Sequence, residues 1–138
     1  MFLGEYKLKF TGIGRVILPK KIRMELTSEV IILSRGFEGC VWGFDEKTFE
    51  KEARRQLEIS ATEERARMLR RYLFSGSEPA ELDSQGRFVI PSALLTHGKL
   101  FKEVIIIGAG DHFEIWDTKT WNKYLKKLEE EYLHGRIS

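Results

Sequence analysis

Two arginines follow tight, glycine-containing turns at matching places in the chain. Arg15 ends the segment Thr11-Gly-Ile-Gly-Arg15, and Arg87 ends the segment Asp83-Ser-Gln-Gly-Arg87. A guanidinium held at the rim of a turn presents a fork of N–H donors that fits phosphate oxygens or the O6 and N7 edge of guanine. The Thr or Asp four residues earlier can orient that guanidinium or accept from the N–H groups of the turn. The pattern indicates a contact with nucleic acid. A purely structural salt bridge between Asp83 and Arg87 is the alternative, and the two roles can coexist.

Basic side chains are concentrated around the first of these turns. Residues 1–24 carry six basic side chains against the single acid Glu5, a net charge of +5; they are Lys7, Lys9, Arg15, Lys20, Lys21 and Arg23. The corresponding stretch 76–98 carries Arg87 against three acids, a net charge of −2. An uninterrupted basic stretch is typical of a phosphate-binding surface, and a solvated strand-and-helix face is the alternative. On this charge difference we expect Arg15 to contribute more to DNA affinity than Arg87.

The two turns belong to a repeat with an offset of 72 residues. Gly14-Arg-Val-Ile-Leu-Pro19 recurs as Gly86-Arg-Phe-Val-Ile-Pro91. Apolar alternation and turn residues predict four strands and a short helix in each copy, with the helix beginning at the proline and the first two strands paired as a hairpin around Gly14 or Gly86. The predicted strands are 5–10, 16–18, 30–33 and 40–44 in the first copy, and 79–83, 86–90, 103–107 and 112–116 in the second. A longer helix follows each copy, capped by Asp45 or Asp117, and another helix is predicted over 62–74.

One copy has too little apolar surface to fold alone, so the two copies are expected to share a core. The predicted fold class is α+β, with two tandem β units interlocked into one barrel-like or sandwich-like pseudo-dimer and α-helices flanking it. The predicted boundaries are 1–47 for the first repeat, 48–75 for a helical connector, 76–119 for the second repeat and 120–138 for a C-terminal helix.

Composition narrows the class of protein further. The chain has 138 residues, 42% of them apolar, and a formal net charge of +2, which is too small to indicate a partner. Cys40 is the one cysteine, so an intrachain disulfide is excluded and a buried, inert thiol is expected. The first residues lack the pattern of a signal peptide, and no apolar run is long enough to span a membrane. We therefore expect a cytoplasmic protein without a membrane partner.

These motifs, in this order, resemble the MraZ family of bacterial regulators, whose halves are SpoVT/AbrB-type swapped-hairpin units in tandem. The hallmark of that family is Asp-x-x-x-Arg followed by an apolar strand and Pro. The second copy matches from Asp83 to Pro91, whereas the first has Thr11 in place of the Asp. The segments Met1-Phe-x-Gly-Glu-Tyr6, 35–40 and 113–117 also resemble the family.

The resemblance implies sequence-specific binding to repeated double-stranded DNA elements upstream of the cell-division and cell-wall gene cluster. It also implies a ring-shaped homo-oligomer associated with the nucleoid, with Arg15 and Arg87 at or near the DNA.

Two other classes of protein are weighed against this one. An enzyme is disfavoured because the Gly-x-Gly pairs at 12–14 and 108–110 lack a third glycine in register, and because the three histidines lack metal-ligand spacing. No cofactor, metal or small-molecule substrate is therefore expected. An antitoxin-like assembly protein of the same fold stays open as the alternative, although such proteins usually pair one hairpin unit with a disordered tail. Here the second half is another folded repeat.

Overall fold

Eight strands and five helices make up the part of the chain that the computed structural model describes, residues 1–135. The strands are β1 Glu5–Lys9, β2 Arg15–Ile17, β3 Val30–Arg35, β4 Val41–Asp45, β5 Glu78–Glu81, β6 Arg87–Val89, β7 Glu103–Gly108 and β8 Phe113–Asp117. The helices are α1 Lys20–Arg23, α2 Glu46–Glu58, α3 Glu64–Ser75, α4 Ser92–Gly98 and α5 Thr118–Leu133. The order of elements is the same in the two halves up to β4 and β8, as the repeat predicts.

The strands form two antiparallel sheets, and both sheets combine strands from the two halves. The large sheet has the order β1-β7-β8-β4-β3-β5, and the small sheet pairs β2 with β6. In the large sheet Tyr6 lies opposite Ile106, and Ile31 lies opposite Ala80. The prediction that the first two strands of each half pair as a hairpin is therefore wrong. Each of those strands instead pairs with a strand of the other half. As a result, both halves contribute side chains to one core.

The α+β class is confirmed, with a large antiparallel sheet and helices. No closed barrel is found among residues 1–135, because the large sheet is open at β1 and β5 and the β2–β6 pair is a separate sheet. Within the same residues no helix is both long and apolar enough to cross a membrane.

Side chains from the two faces of the large sheet belong to two separate apolar clusters. One face packs against the β2–β6 pair, α1 and α4, where Val16, Ile22, Phe88 and Leu94 are buried with side chains from the strands. The other face carries Trp116 and Ile105, which pack against Trp121 of α5. We call this second face the helix face, since α2, α3 and α5 all lie on it.

The two aspartates that were predicted to cap long helices behave differently. Asp117 accepts hydrogen bonds from the backbone N–H and the hydroxyl of Thr120 at 3.0 and 2.8 Å, so it caps α5 as predicted. Asp45 makes no such bond with α2. Its buried carboxylate accepts instead from the N–H of Thr27 at 2.7 Å and from the Thr27 hydroxyl. The prediction for Asp45 is wrong because the segment before β3 passes within reach and presents these donors.

Candidate nucleic-acid interface

The antiparallel β2–β6 pair, hereafter the ribbon, exposes one face to solvent. Val16 and Phe88 lie opposite each other and point into the core, with 0% and 2% of their surface exposed. Because side chains alternate across a strand, the flanking residues point outward. Arg15 lies opposite Val89, and Ile17 lies opposite Arg87. On the outer face each end of the ribbon therefore carries one arginine with an apolar residue of the other strand beside it, Arg15 beside Val89 and Arg87 beside Ile17.

The turn before β6 holds Arg87 through one carboxylate. Asp83 Oδ1 accepts from the backbone N–H groups of Gln85 and Arg87 at 2.9 Å each, and Asp83 Oδ2 accepts from Arg87 Nε at 2.6 Å. Hydrogen bonds from Arg87, first its backbone N–H, hold the pKa of Asp83 below its ordinary value and outweigh the opposing effect of desolvation. Nη1 and Nη2 of Arg87 have no hydrogen-bond partner within residues 1–135. The turn thus fixes the guanidinium and leaves its terminal donors free.

The turn before β2 has the same backbone course with an uncharged side chain in place of the acid. Thr11 N–H donates to Arg15 C=O at 2.8 Å, as Asp83 N–H donates to Arg87 C=O at 2.9 Å. Arg15 Nε donates to the Thr11 hydroxyl at 3.2 Å, and Nη2 donates to the Thr11 carbonyl at 3.1 Å. Thr11 therefore orients Arg15 without charge, but it engages one of the terminal amino groups that Arg87 keeps free.

Glycine is required at the last position of both turns. Gly14 and Gly86 have φ values of +67° and +80°, which side chains rarely adopt. A Cβ at Gly14 would lie 3.0 Å from the Ile90 carbonyl, and a Cβ at Gly86 would lie 3.2 Å from Arg23 Nη1. A side chain at either position would therefore strain the turn that precedes the arginine.

Each turn is held by the opposite half of the chain. Leu18 N–H donates to Gly86 C=O, and Ile90 N–H donates to Gly14 C=O, both at 2.8 Å. As a result α1, which follows β2, lies beside the second turn, where Arg23 donates to the carbonyl of Asp83 at 3.3 Å. The first turn lies instead against α4, a helix without Lys, Arg, Asp or Glu.

This arrangement changes the electrostatic argument drawn from the sequence. Lys20 and Lys21 are exposed on α1, at the end of the ribbon where Arg87 lies. Their nearness to Arg15 in sequence was one reason for expecting Arg15 to contribute more than Arg87, the other being the acids Asp83 and Glu81 near Arg87. Since α1 follows the end of β2 that lies opposite Arg87, nearness in sequence does not place these lysines beside Arg15.

Three of the other predicted basic residues lie apart from the outer face of the ribbon. Lys7 lies opposite Ile105 on the helix face of the large sheet, and Lys9 shares that face. Their neighbour Glu5 accepts from Trp121 Nε1 of α5 at 2.8 Å, which confirms the side on which they lie. Arg23 is engaged with the second turn and with Glu29, at 3.4 Å. Of the predicted cations, Arg15 and Arg87 lie on the ribbon, and Lys20 and Lys21 are exposed on α1, the helix whose Arg23 contacts the second turn.

Two outward-facing residues of the ribbon were missed in the sequence. Ile17 and Val89 are 41% and 55% exposed although both are strongly apolar. Strand alternation could have identified them. If Val16 and Phe88 point into the core, the residues on either side of each must point outward, which places Ile17 and Val89 on the same face as the arginines. Exposed apolar side chains beside the arginines can contact an apolar group on a ligand.

Comparison with known proteins finds the same two-copy organisation. The family model described as "MraZ protein, putative antitoxin-like" matches the chain twice, at residues 1–72 and 73–135. A protein of Halothermothrix orenii named "Transcriptional regulator MraZ" is 38% identical over 132 residues, which cover 96% of this chain and 92% of that protein. A protein of Lactobacillus johnsonii with the same name is 34% identical with the same coverage.

Proposed function

The chain belongs to the MraZ family, and we propose that it is a non-enzymatic transcriptional regulator that binds specific DNA sequences through the outer face of the ribbon. The names of the curated relatives support regulation of transcription. The observation that carries the proposal for the site is the ribbon itself, with Arg15 and Arg87 held by tight turns toward its two ends.

The dimensions of the ribbon suit the major groove. That groove is about 12 Å wide in B-DNA and admits a two-stranded β-ribbon. The two turns, which continue each end of the ribbon, would then approach the DNA with their arginines. Arg87 presents both terminal amino groups, the geometry required for bidentate contact with guanine O6 and N7. Arg15 presents fewer free donors and contacts a base or a phosphate.

The apolar side chains of the outer face add a second kind of base contact. Ile17 lies beside Arg87 and Val89 lies beside Arg15, and both reach the groove floor when the ribbon enters it. The C5-methyl group of thymine is the apolar feature of the major groove. These two side chains therefore favour thymine next to the guanines that the arginines contact.

Affinity independent of sequence comes from cations at the margin of the ribbon. Lys20 and Lys21 are exposed on α1, the helix whose Arg23 contacts the second turn, and from there they contact phosphates. A single subunit offers only a few such contacts, so tight binding requires several subunits on repeated sites. We therefore propose, with the family resemblance as support, a ring-shaped homo-oligomer of swapped-hairpin subunits on repeated elements upstream of the division and cell-wall gene cluster, associated with the nucleoid.

A gel-shift experiment with DNA from upstream of the protein's own gene tests this function. The expected result is a shift that survives an excess of unrelated competitor DNA of equal length. Loss of the shift at competitor concentrations that saturate non-specific binding would contradict sequence-specific regulation and would favour the antitoxin-like alternative.

A further inference from the structure

A cavity of about 230 Å³ lies between α2, α3 and the helix face of the large sheet. Its walls are mainly apolar and include five aromatic side chains, those of Phe37, Trp42, Phe44, Phe49 and Phe74. The helix α2 covers it loosely, since the side chains of α2 are only half-buried or exposed. Protein interiors are densely packed and contain few voids larger than a water molecule, so an apolar space of this size is a candidate ligand site. It lies on the opposite side of the large sheet from the ribbon.

One polar atom at this cavity lacks a partner. Gln56 lines the cavity, and its Nε2 donates to Glu52 Oε1 at 3.2 Å. A carboxylate only accepts hydrogen bonds, so this contact fixes which end of the amide is nitrogen. Gln56 Oε1 is then a buried acceptor without a hydrogen-bond partner among residues 1–135. Leaving such an acceptor unpaired destabilises the protein, and a ligand N–H or O–H would remove that cost.

The one charged side chain among the residues that line the cavity is already paired. Glu52 accepts from Gln56 and forms an ion pair with Arg55 at 3.3 Å. A charged ligand would lose its hydration among aromatic rings without gaining a free counter-charge. The size of the cavity also limits the ligand. An engineered apolar cavity of about 150 Å³ holds benzene, so the present space accommodates two fused rings.

From these observations we propose that the cavity binds a small, neutral, planar aromatic molecule that donates one hydrogen bond to Gln56 Oε1. The proposal is independent of DNA binding. Because such a ligand would fill the space beneath α2, binding stabilises the folded protein and raises its unfolding temperature.

Two probes of nearly equal shape separate the apolar and the polar parts of the proposal. Indole has an N–H donor on a two-ring frame, and indene has the same frame without it. Titration calorimetry on the full-length protein is expected to show saturable one-to-one binding of indole and about five- to tenfold weaker binding of indene. Absence of saturable binding by both probes, up to their solubility, would overturn the proposal. Equal affinity for the two probes would overturn the role of Gln56.

Variants locate the binding in this cavity. Gln56→Leu is expected to remove the preference for indole over indene, and Ala53→Phe is expected to block both probes by filling the space. Asn122→Leu likewise replaces a side-chain amide by an apolar group, on the exposed side of α5, and leaves both affinities unchanged. A preference for indole that persists in Gln56→Leu would place the ligand elsewhere. If that variant does not fold, the comparison of the two probes on the unaltered protein decides the question.

Discussion

The Arg23 guanidinium donates to the backbone carbonyl of Ser84 at 3.4 Å, across 61 residues of sequence. This contact joins the basic helix of one half to the arginine turn of the other. It follows from the pairing of β2 with β6, which brings the residues after each short strand to the turn before the opposite strand. The net charge of a sequence segment therefore does not describe the charge around the turn that it contains. The first half supplies positive charge to the second turn.

Lysines on α1 are expected to matter more for DNA affinity than lysines on β1. The double variant Lys20→Ala/Lys21→Ala should lower the magnitude of the salt dependence of binding by about two units, since each lost phosphate contact removes about one. The matched double variant Lys7→Ala/Lys9→Ala should change it by less than one, because these lysines lie on the helix face. Fluorescence anisotropy over a salt series measures both slopes. A larger change in salt dependence for the Lys7/Lys9 variant would show that the phosphate contacts lie on the helix face of the sheet.

The thymine contact predicts a specific coupling between protein and DNA. Replacing thymine by uracil removes only the C5-methyl group, and we expect it to weaken binding of the unaltered protein about fourfold at one or more positions of the site. Val89→Ala should lose part of this discrimination, because the side chain that contacts the methyl is shortened. Binding constants for both proteins on both DNAs form a double-mutant cycle. Additive effects at every thymine, for Val89 and for Ile17, would exclude the contact.

A half-buried histidine is expected to make stability depend on pH. His112 stacks against Phe44, packs at a tilt against Trp42, and forms hydrogen bonds with Asp111 at 2.7 Å and Glu114 at 2.8 Å. Burial alone would lower the pKa of His112, but these two acids outweigh it and raise the pKa above the ordinary 6.5. For Glu114, burial alone would raise the pKa, whereas hydrogen bonds from His112 and Trp116 bring it below the ordinary 4.5.

The sign of the effect follows from these directions. A raised histidine pKa stabilises the fold fully below pH 6.5 and loses that contribution as the pH rises through the folded value. A lowered Glu114 pKa stabilises the fold above pH 4.5 and loses its contribution as the pH falls through the folded value. Urea unfolding should therefore show the largest loss for His112→Gln between about pH 4.5 and 6.5, and a smaller loss at pH 8.5. The exposed His134→Gln serves as control. An equal loss at pH 5.5 and 8.5 would mean that the pKa of His112 is the same in the folded and the unfolded protein.

Oligomerisation is expected to convert weak single contacts into tight binding. Light scattering at micromolar concentration should give a mass several times 16.1 kDa. DNA with several repeats should bind much more tightly than DNA with one repeat at the same salt concentration, because linked sites raise the effective concentration. A monodisperse monomer would exclude the ring. Equal affinity for the two DNAs would show that one subunit supplies all the binding energy.

Much of the fold could be predicted because local patterns report local structure. The alternation at β1, the prolines that precede α1 and α4, and the glycine turns all lie where the sequence places them. Strand pairing could not be predicted in the same way, because β2 and β6 have equivalent patterns and a pattern does not name its partner. Asp45 and Asp117 have equivalent sequence positions, yet only Asp117 caps its helix, since Thr27 lies within reach of Asp45 alone.

The same distinction between local and distant contacts applies to the candidate site. Arg15, Arg87 and their turn residues could be identified from spacing, because each turn is built from five consecutive residues. The neighbours of each turn could not, since they come from the other half of the chain. The cavity beneath α2 could not be predicted from the sequence either, because it depends on how two helices lie against the sheet.

The ribbon arginines give the most direct test of the central claim. The ratio of specific to non-specific DNA affinity should be measured for the unaltered protein, Arg15→Ala, Arg87→Ala and the double variant, with Arg54→Ala on the exposed side of α2 as control. We expect each ribbon variant to lose on the order of 1–3 kcal/mol of specific binding, with Arg87→Ala losing at least as much as Arg15→Ala, and the double variant to bind only non-specifically. Arg54→Ala should match the unaltered protein. A double variant that remains folded and keeps its preference for the specific DNA would contradict the account, because the ribbon would then not be the surface that reads sequence.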